Sequence, residues 1–531
     1  MKNCRRSLMA FSLIFGCASL LSNSVFAANT NVGGEVKAIR SPAASSNANL
    51  YRDALSKALN QVRSGQHEKA IPVLLTLSRK PELAAEKAQI KYILGVSLLE
   101  LKLYQVAAFQ FVEVIRMGES KYTRQAIEKL SLVADALGDD SLLNYAISKV
   151  EMDKFPPQYK DMINFRLGEI KQKNGNFEEA AEIFSRVTTR SRNYYQAQFN
   201  RGLCYLETKQ TDKAVAIFQS LYENRSNASI TDTNRVAAQL AIARTHYQAQ
   251  NWEASIEAYR AIPKDSPMWH DALFEMTWAY LRAAKFRTAL SNFQSLHSSF
   301  YEDTYLPESL LLRSILYLYI CRYDEMDKVL DLFQKTYGPV RSKVGQFVLA
   351  YGKENMPFYN EIEIALSIKN GEKTKQVAKI PYSVTRHILN EGDVKRALNY
   401  LERLRSERKL LLKLRSLPRT GFGSYALKVI DNRIRNTKIS IGEMVRNHLY
   451  DVRSELKDLY QQTEFARAQM LEEQKNAQIK KIAGKNLNTQ IDEDKNREYY
   501  IQNGLEYWPF DGEYWLDEIG NYHYLGKQNC E

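Results

Sequence analysis

A spacing of 34 residues constrains this chain more than any other feature. Gly168, Ala180 and Phe184 recur in register as Gly202, Ala214 and Phe218. The same triplet returns after 41 residues as Ala243, Ser255 and Tyr259, which implies a seven-residue insertion between 222 and 233. After another 34 it appears as Thr277, Ala289 and Phe293. Looser copies follow at Ser314, Met326 and Leu330, and precede at Gly95, Ala107 and Phe111 and at Ala58, Ala70 and Leu74. A degenerate copy is expected near 130–150. A period of this length marks a stacked array in which each unit buries its apolar face against its neighbours.

Within a unit the small residue and the alanine let two helices approach closely, and the aromatic is expected to fill the space toward the next unit. Asn174-Gly175-Asn176 and Gln250-Asn251 fall between the helices, where a residue tolerant of the left-handed conformation ends the first one. This pattern resembles the tetratricopeptide repeat (TPR) family. The resemblance implies an α-solenoid superhelix of about eight units over 51–335, with Gly168, Ala180, Phe184, Gly202, Ala214, Phe218, Ala243, Tyr259, Ala289 and Phe293 as packing residues. Such arrays recognise peptides, helices or neighbouring subunits.

Composition agrees with an all-α protein. Glycine numbers only 23 and proline 13 in 531 residues, while helix-favouring residues dominate. Of five cysteines, Cys4 and Cys17 fall near the N-terminus, leaving Cys204, Cys321 and Cys530 with no close spacing. Neither a disulfide framework nor a zinc site is expected. Cys204 and Cys321 read as small buried apolar residues, and Cys530 as the reachable one.

The N-terminus carries Lys2, Arg5 and Arg6, an apolar run over 8–21, and then Val25-Phe26-Ala27. That order reads as a secretory signal peptide over 1–27, cleaved after Ala27 into a bacterial periplasm. An alternative is a lipoprotein signal with the anchor at Cys17. Residues 28–50 read as a flexible linker.

Past 335 the period stops. Residues 340–471 read as a second, basic helical domain. Its heptads place Val445, Val452, Leu459 and Ala466 at one position and Leu449, Leu456, Thr463 and Met470 at the other. That seam either pairs with another chain as a coiled coil or packs within this one, on helices of 393–415. Residues 371–448 hold 18 Lys and Arg against 7 Asp and Glu. This excess suits anionic lipid, cell-wall polymer or an acidic protein surface as readily as a solvated face. Export and the lack of a recognition motif argue against nucleic acid.

Residues 472–498 read as a charged linker, and 499–531 as an aromatic, acidic C-terminal segment. Trp508, Phe510, Tyr514, Trp515, Asp517 and Glu518 are the candidate partner-binding residues, since Trp and Tyr anchor interfaces. The segment either docks on the basic helices or serves as a hook for a partner. The stretch Trp508-Pro509-Phe510-Asp511-Gly512-Glu513-Tyr514-Trp515, with Asp517-Glu518 and the late Cys530, is similar to the ends of periplasmic TPR proteins of gliding and predatory deltaproteobacteria. That resemblance covers few residues. It implies a part in an adventurous-gliding or Tol-like motor complex.

The seven histidines form no HExxH pair, and CxxC, P-loop and GxSxG motifs are absent from the sequence. No catalytic residue, metal or cofactor is expected. The function read from the sequence is therefore a protein-binding scaffold of the cell envelope. A cell-wall-binding or hydrolase-associated accessory is the alternative, because aromatic clusters stack on sugars.

Overall fold

The computed structural model describes residues 43–118, 120–138, 141–143, 160–301, 304–372, 377–482 and 513–524. Among the described residues there is no strand. The helices run in order as α1 (Ala43–Arg63), α2 (His67–Leu77), α3 (Lys87–Glu100), α4 (Tyr104–Arg116), α5 (Lys121–Leu137), α6 (Lys160–Lys173) and α7 (Phe177–Ser185). Then come α8 (Tyr194–Glu207), α9 (Thr211–Glu223), α10 (Asp232–Gln248), α11 (Trp252–Arg260), α12 (Trp269–Arg282) and α13 (Phe286–Leu296). The last are α14 (Pro307–Tyr319), α15 (Tyr323–Tyr351), α16 (Met356–Lys369), α17 (Tyr382–Asn390), α18 (Gly392–Lys413) and α19 (Gly421–Ile482). None is long and apolar enough to cross a membrane. The chain divides into two compact units, one of residues up to 159 with 391–444, the other of 160–390 with 445 onward.

The repeat register appears in the backbone itself. In α1/α2, α3/α4, α6/α7, α8/α9, α10/α11, α12/α13 and α14/α15 the turn between helices contains one left-handed residue: Gly65, Lys102, Gly175, Lys209, Gln250, Ala284 and Cys321, with φ between 57° and 80°. Each stands seven positions after the small residue of its copy: Ala58, Gly95, Gly168, Gly202, Ala243, Thr277 or Ser314. The reversal is thus built the same way whether or not glycine supplies it.

Glycine matters where the helices touch. A Cβ on Gly202 would stand 2.5 Å from the Phe218 ring, and one on Gly95 or Gly168 would stand 2.6 Å from Phe111 or Phe184. The aromatic therefore covers the small residue of its own pair, not the gap to the next, as the sequence suggested. A second ring lies one turn before each glycine: Tyr92, Phe165 and Phe199 pack on Phe111, Phe184 and Phe218 at 5.2–6.2 Å. The ten expected packing residues lie in this interior, with Ala180, Phe184, Ala214, Phe218, Ala243, Ala289 and Phe293 fully buried.

The boundaries differ from those expected. Helix α1 begins at Ala43, inside the stretch read as linker, and α15 runs past 335 to Tyr351 through Pro339. Much of the copy expected at 130–150 lies outside the described residues, although α5 supplies its first helix.

In the first unit the basic helices pack on the early repeats through an acid. Glu407 of α18 is buried, and its carboxylate accepts the N–H groups of Gln105 at 2.9 Å and Val106 at 3.4 Å at the start of α4. Tyr400 donates to the Gln105 side-chain oxygen at 2.5 Å. Burial pushes the Glu407 carboxyl up to about 7 against the pull of those N–H groups. Some of the excess positive charge is also used internally: Arg403 donates to the Asp135 carbonyl, Arg408 pairs with Asp431, and Arg433 lies over Phe109.

In the second unit the heptad seam is filled by the chain itself. Val445, Leu449, Val452, Leu456, Leu459, Thr463, Ala466 and Met470 are all buried. Their side of α19 faces α15 of the same unit. Tyr460 packs on Phe333 at 5.1 Å, Arg467 binds Asp327 and Asp331, and Gln334 donates to Glu464. The glycines of α15 and its C-terminal cap fit this seam, since the hydroxyls of Tyr460 and Tyr450 come within 3.1 and 2.7 Å of where Gly338 and Gly352 would carry a Cβ. A seam so occupied is closed to a coiled-coil partner.

Candidate interaction surface at the C-terminal segment

Residues 513–524 lie against the last repeats of their own unit, on α12, α13 and α14. Two main-chain donors fix them. Gly520 N–H donates to Ser295 Oγ at 2.8 Å and Tyr524 N–H to Ser291 Oγ at 2.9 Å, the two serines standing one turn apart on α13. Lys264 donates to the Asn521 side-chain oxygen at 2.8 Å. Ile519 is buried, and Gly520 takes a φ of +87° where a Cβ would lie 2.6 Å from the Trp269 ring. No other residue fits there. The Tyr524 ring meets Tyr317 edge-on at 6.0 Å, and burial pushes its hydroxyl up to about 12.

The rest of the segment folds on itself and faces water. Tyr522 accepts the Trp515 N–H through its hydroxyl at 2.8 Å and packs on the Tyr514 ring at 5.7 Å. Trp515 is 61 % exposed and Leu516 70 %, with Asp517 and Glu518 exposed beside them. Of the six candidate partner-binding residues, the structure thus groups Trp515, Asp517 and Glu518 on the open side and leaves Tyr514 half-buried beneath. Trp508 and Phe510 lie outside the described residues.

For the described residues of the segment the docking face is the end of the repeat array in their own unit. Sequence reasoning missed its receiving side. Ser291 and Ser295 flank the aromatic Phe293 of their copy, and two buried serines on that face were the only available signal.

One polar chain beside this face imitates a catalytic pair. His297 Nε2 lies 2.9 Å from Ser309 Oγ, and Arg313 stands 3.1 Å from His297 Nδ1. An arginine only donates, so Nδ1 accepts and Nε2 carries the proton. The ring thus donates to Ser309, which passes its own hydrogen to the Leu306 carbonyl at 2.6 Å. Burial and the Arg313 charge hold the imidazole neutral, its pKa down to about 3. This histidine is oriented away from general-base work on Ser309, and Ser309 is itself only 2 % exposed.

Cys204 is buried and free, its thiol pushed up to about 12 by burial and Glu207. Cys321 corrects the sequence reading. It sits at the left-handed turn of the last repeat and is disulfide-bonded.

The family model described as tetratricopeptide repeat matches residues 55–120 and 165–229, and these stretches are such repeats. No curated protein matches the chain. Among solved structures, one titled as a Rap protein complexed with competence and sporulation factor is similar over 75 % of this chain and 99 % of that one. Its identity is 11 % and its TM-score 0.25, too low to support an argument about shape or ligand.

Proposed function

We propose that this chain, an interaction scaffold built on tetratricopeptide repeats, is exported to a bacterial cell envelope and recruits a partner through its docked C-terminal segment. The observation that carries the reading is the division of labour within 513–524. Ile519, Gly520 and Tyr524 hold the segment to the array, while Trp515 and Leu516 face water with Asp517 and Glu518 beside them. Exposed tryptophan ringed by polar groups is what a protein interface uses as an anchor. Export draws support from the N-terminal stretch ending at Ala27, or at Cys17 as a lipid anchor, and from a disulfide at Cys321, since such bonds persist in oxidising compartments. The narrower role is a periplasmic part of a gliding-motility or Tol-like motor complex, which rests on the similarity of the terminal segment. The basic surface of 371–448 would meet anionic lipid or cell wall.

The test is envelope cross-linking followed by pull-down with W515A/L516A beside the unaltered protein. Specific partners should be lost from the variant while its melting curve stays unchanged, and retention of the same partners sinks the reading. Binding to isolated sacculi with release of muropeptides would favour the cell-wall accessory instead.

A further inference from the structure

The disulfide at Cys321 has its other half outside the described residues. Among the chain's five cysteines, Cys204 is a free thiol, and Cys4 and Cys17 fall in the stretch read as a removable leader. Cys530 remains, and the docked segment leads toward Cys321. Tyr524 is tied to Ser291 and lies edge-on to Tyr317, which precedes Cys321 by one helical turn. Tyr317 lies on α14, the helix that runs directly into the turn carrying Cys321. Cys530 stands six positions beyond Tyr524, a reach of about 20 Å when extended. That reach covers the return to the neighbouring turn.

We propose that Cys321 and Cys530 form this disulfide, so that the C-terminal segment is covalently fastened to the turn of the last repeat. The bond forms by exchange with an oxidised protein disulfide. One cysteine thiolate attacks a donor sulfur, giving a mixed disulfide and a donor thiolate. The second thiolate attacks this chain's sulfur in the mixed disulfide and releases the other donor thiolate. Both thiol protons go to solvent, and the two electrons rest on the donor dithiol. The fastening holds Ile519, Gly520 and Tyr524 on their face and Trp515 in one place. Reduction by a dithiol would reverse the steps and leave the segment held only by its hydrogen bonds and one buried isoleucine.

Peptide mapping of the full chain tests the pairing. Protein isolated under oxidising conditions is blocked with iodoacetamide without reduction and digested with trypsin. The expected product is peptide 314–322 joined to peptide 528–531, two hydrogens lighter than their sum and split by reductant. An alkylated Cys321, or Cys321 joined to Cys17 or to a second copy, overturns the assignment. The fastening is read separately by hydrogen exchange of C530S, in which 513–524 should exchange about tenfold faster while the repeats keep their protection. Unchanged exchange of that segment shows that the bond does not hold it. Neither measurement depends on the partner, so failure here is distinct from failure of the recruiting role.

Discussion

The pairs α6/α7 and α8/α9 close on glycine, whereas α10/α11 and α12/α13 reach the same repeat geometry with polar side chains. In the first two a ring lies flush on Gly168 or Gly202. In the others Ser255 donates to the Ala243 carbonyl, and Asn292 reaches Thr277 and the Leu273 carbonyl. Arg244 and Tyr259 then converge on Glu275, which links the two pairs at 2.6–2.9 Å. The spacing of the helices therefore does not require glycine, only that the volume be filled and each buried polar atom be bonded. The polar solution has a further effect. It leaves serine hydroxyls on α13 able to accept from another segment, and the C-terminal residues use them.

The largest expected effect breaks the glycine side of this comparison. G202V drives a branched side chain into Phe218 and should cost about 3 kcal/mol in a denaturant melt. Adding F218A should restore part of that loss, because the clash is with the ring. A small cost for G202V would mean that α8/α9 is no more tightly closed than its polar neighbours.

On the polar side, E275A removes the acceptor shared by the Arg244 guanidinium and the Tyr259 hydroxyl. The expected loss is about 2 kcal/mol, with faster hydrogen exchange in both α10 and α12. Exchange confined to α12 would show that the link does not join the pairs.

Within the polar end of the array, acidity should set two buried groups against each other. His297, held neutral with a folded pKa of about 3 against an ordinary 6.5, contributes stability that is complete above 6.5 and lost as pH falls toward 3. Glu308 acts oppositely. Burial, then the neighbouring Glu455, raises it to about 7 from 4.5, so its contribution is complete below 4.5 and lost as pH rises through 7. H297Q should thus soften the loss on acidification and E308Q the loss on raising pH to 8, both read by melts across pH. Identical pH profiles in the variants and the parent would remove the electrostatic contrast.

The smallest effect tests what the regions share. Lys209 and Ala284 occupy the same left-handed turn position in the two kinds of repeat. Replacing either with glycine should stabilise by about 0.5–1 kcal/mol, equally in both. Unequal gains would show that the turns, too, differ.

The array was legible because its signals are local and repeated. The small residue, the alanine and the aromatic recur at fixed steps, and even degenerate copies such as Ser314 with Met326 and Leu330 keep the register. The heptads of 445–470 were equally visible, but a periodic apolar stripe does not say what covers it. The answer lay in α15 and its C-terminal cap, where Gly338 and Gly352 make room for Tyr460 and Tyr450 of α19. The docking face was not legible, since Ser291 and Ser295 look like ordinary helix residues until a distant main chain reaches them. Cys321 was misread for a related reason. Its helical setting suggested burial, while its true position is a turn, seven residues beyond Ser314.

The receiving serines accept main-chain N–H groups and nothing of the side chains that follow. Apart from Ile519, Gly520, Asn521 and Tyr524, the place of the segment on the array is therefore insensitive to its wording. The residues that hold the segment and the residues it displays can change independently. Residues 515–518 could be rewritten for a new partner without loss of their platform, and the array could be reused as a fixed mount for other terminal sequences.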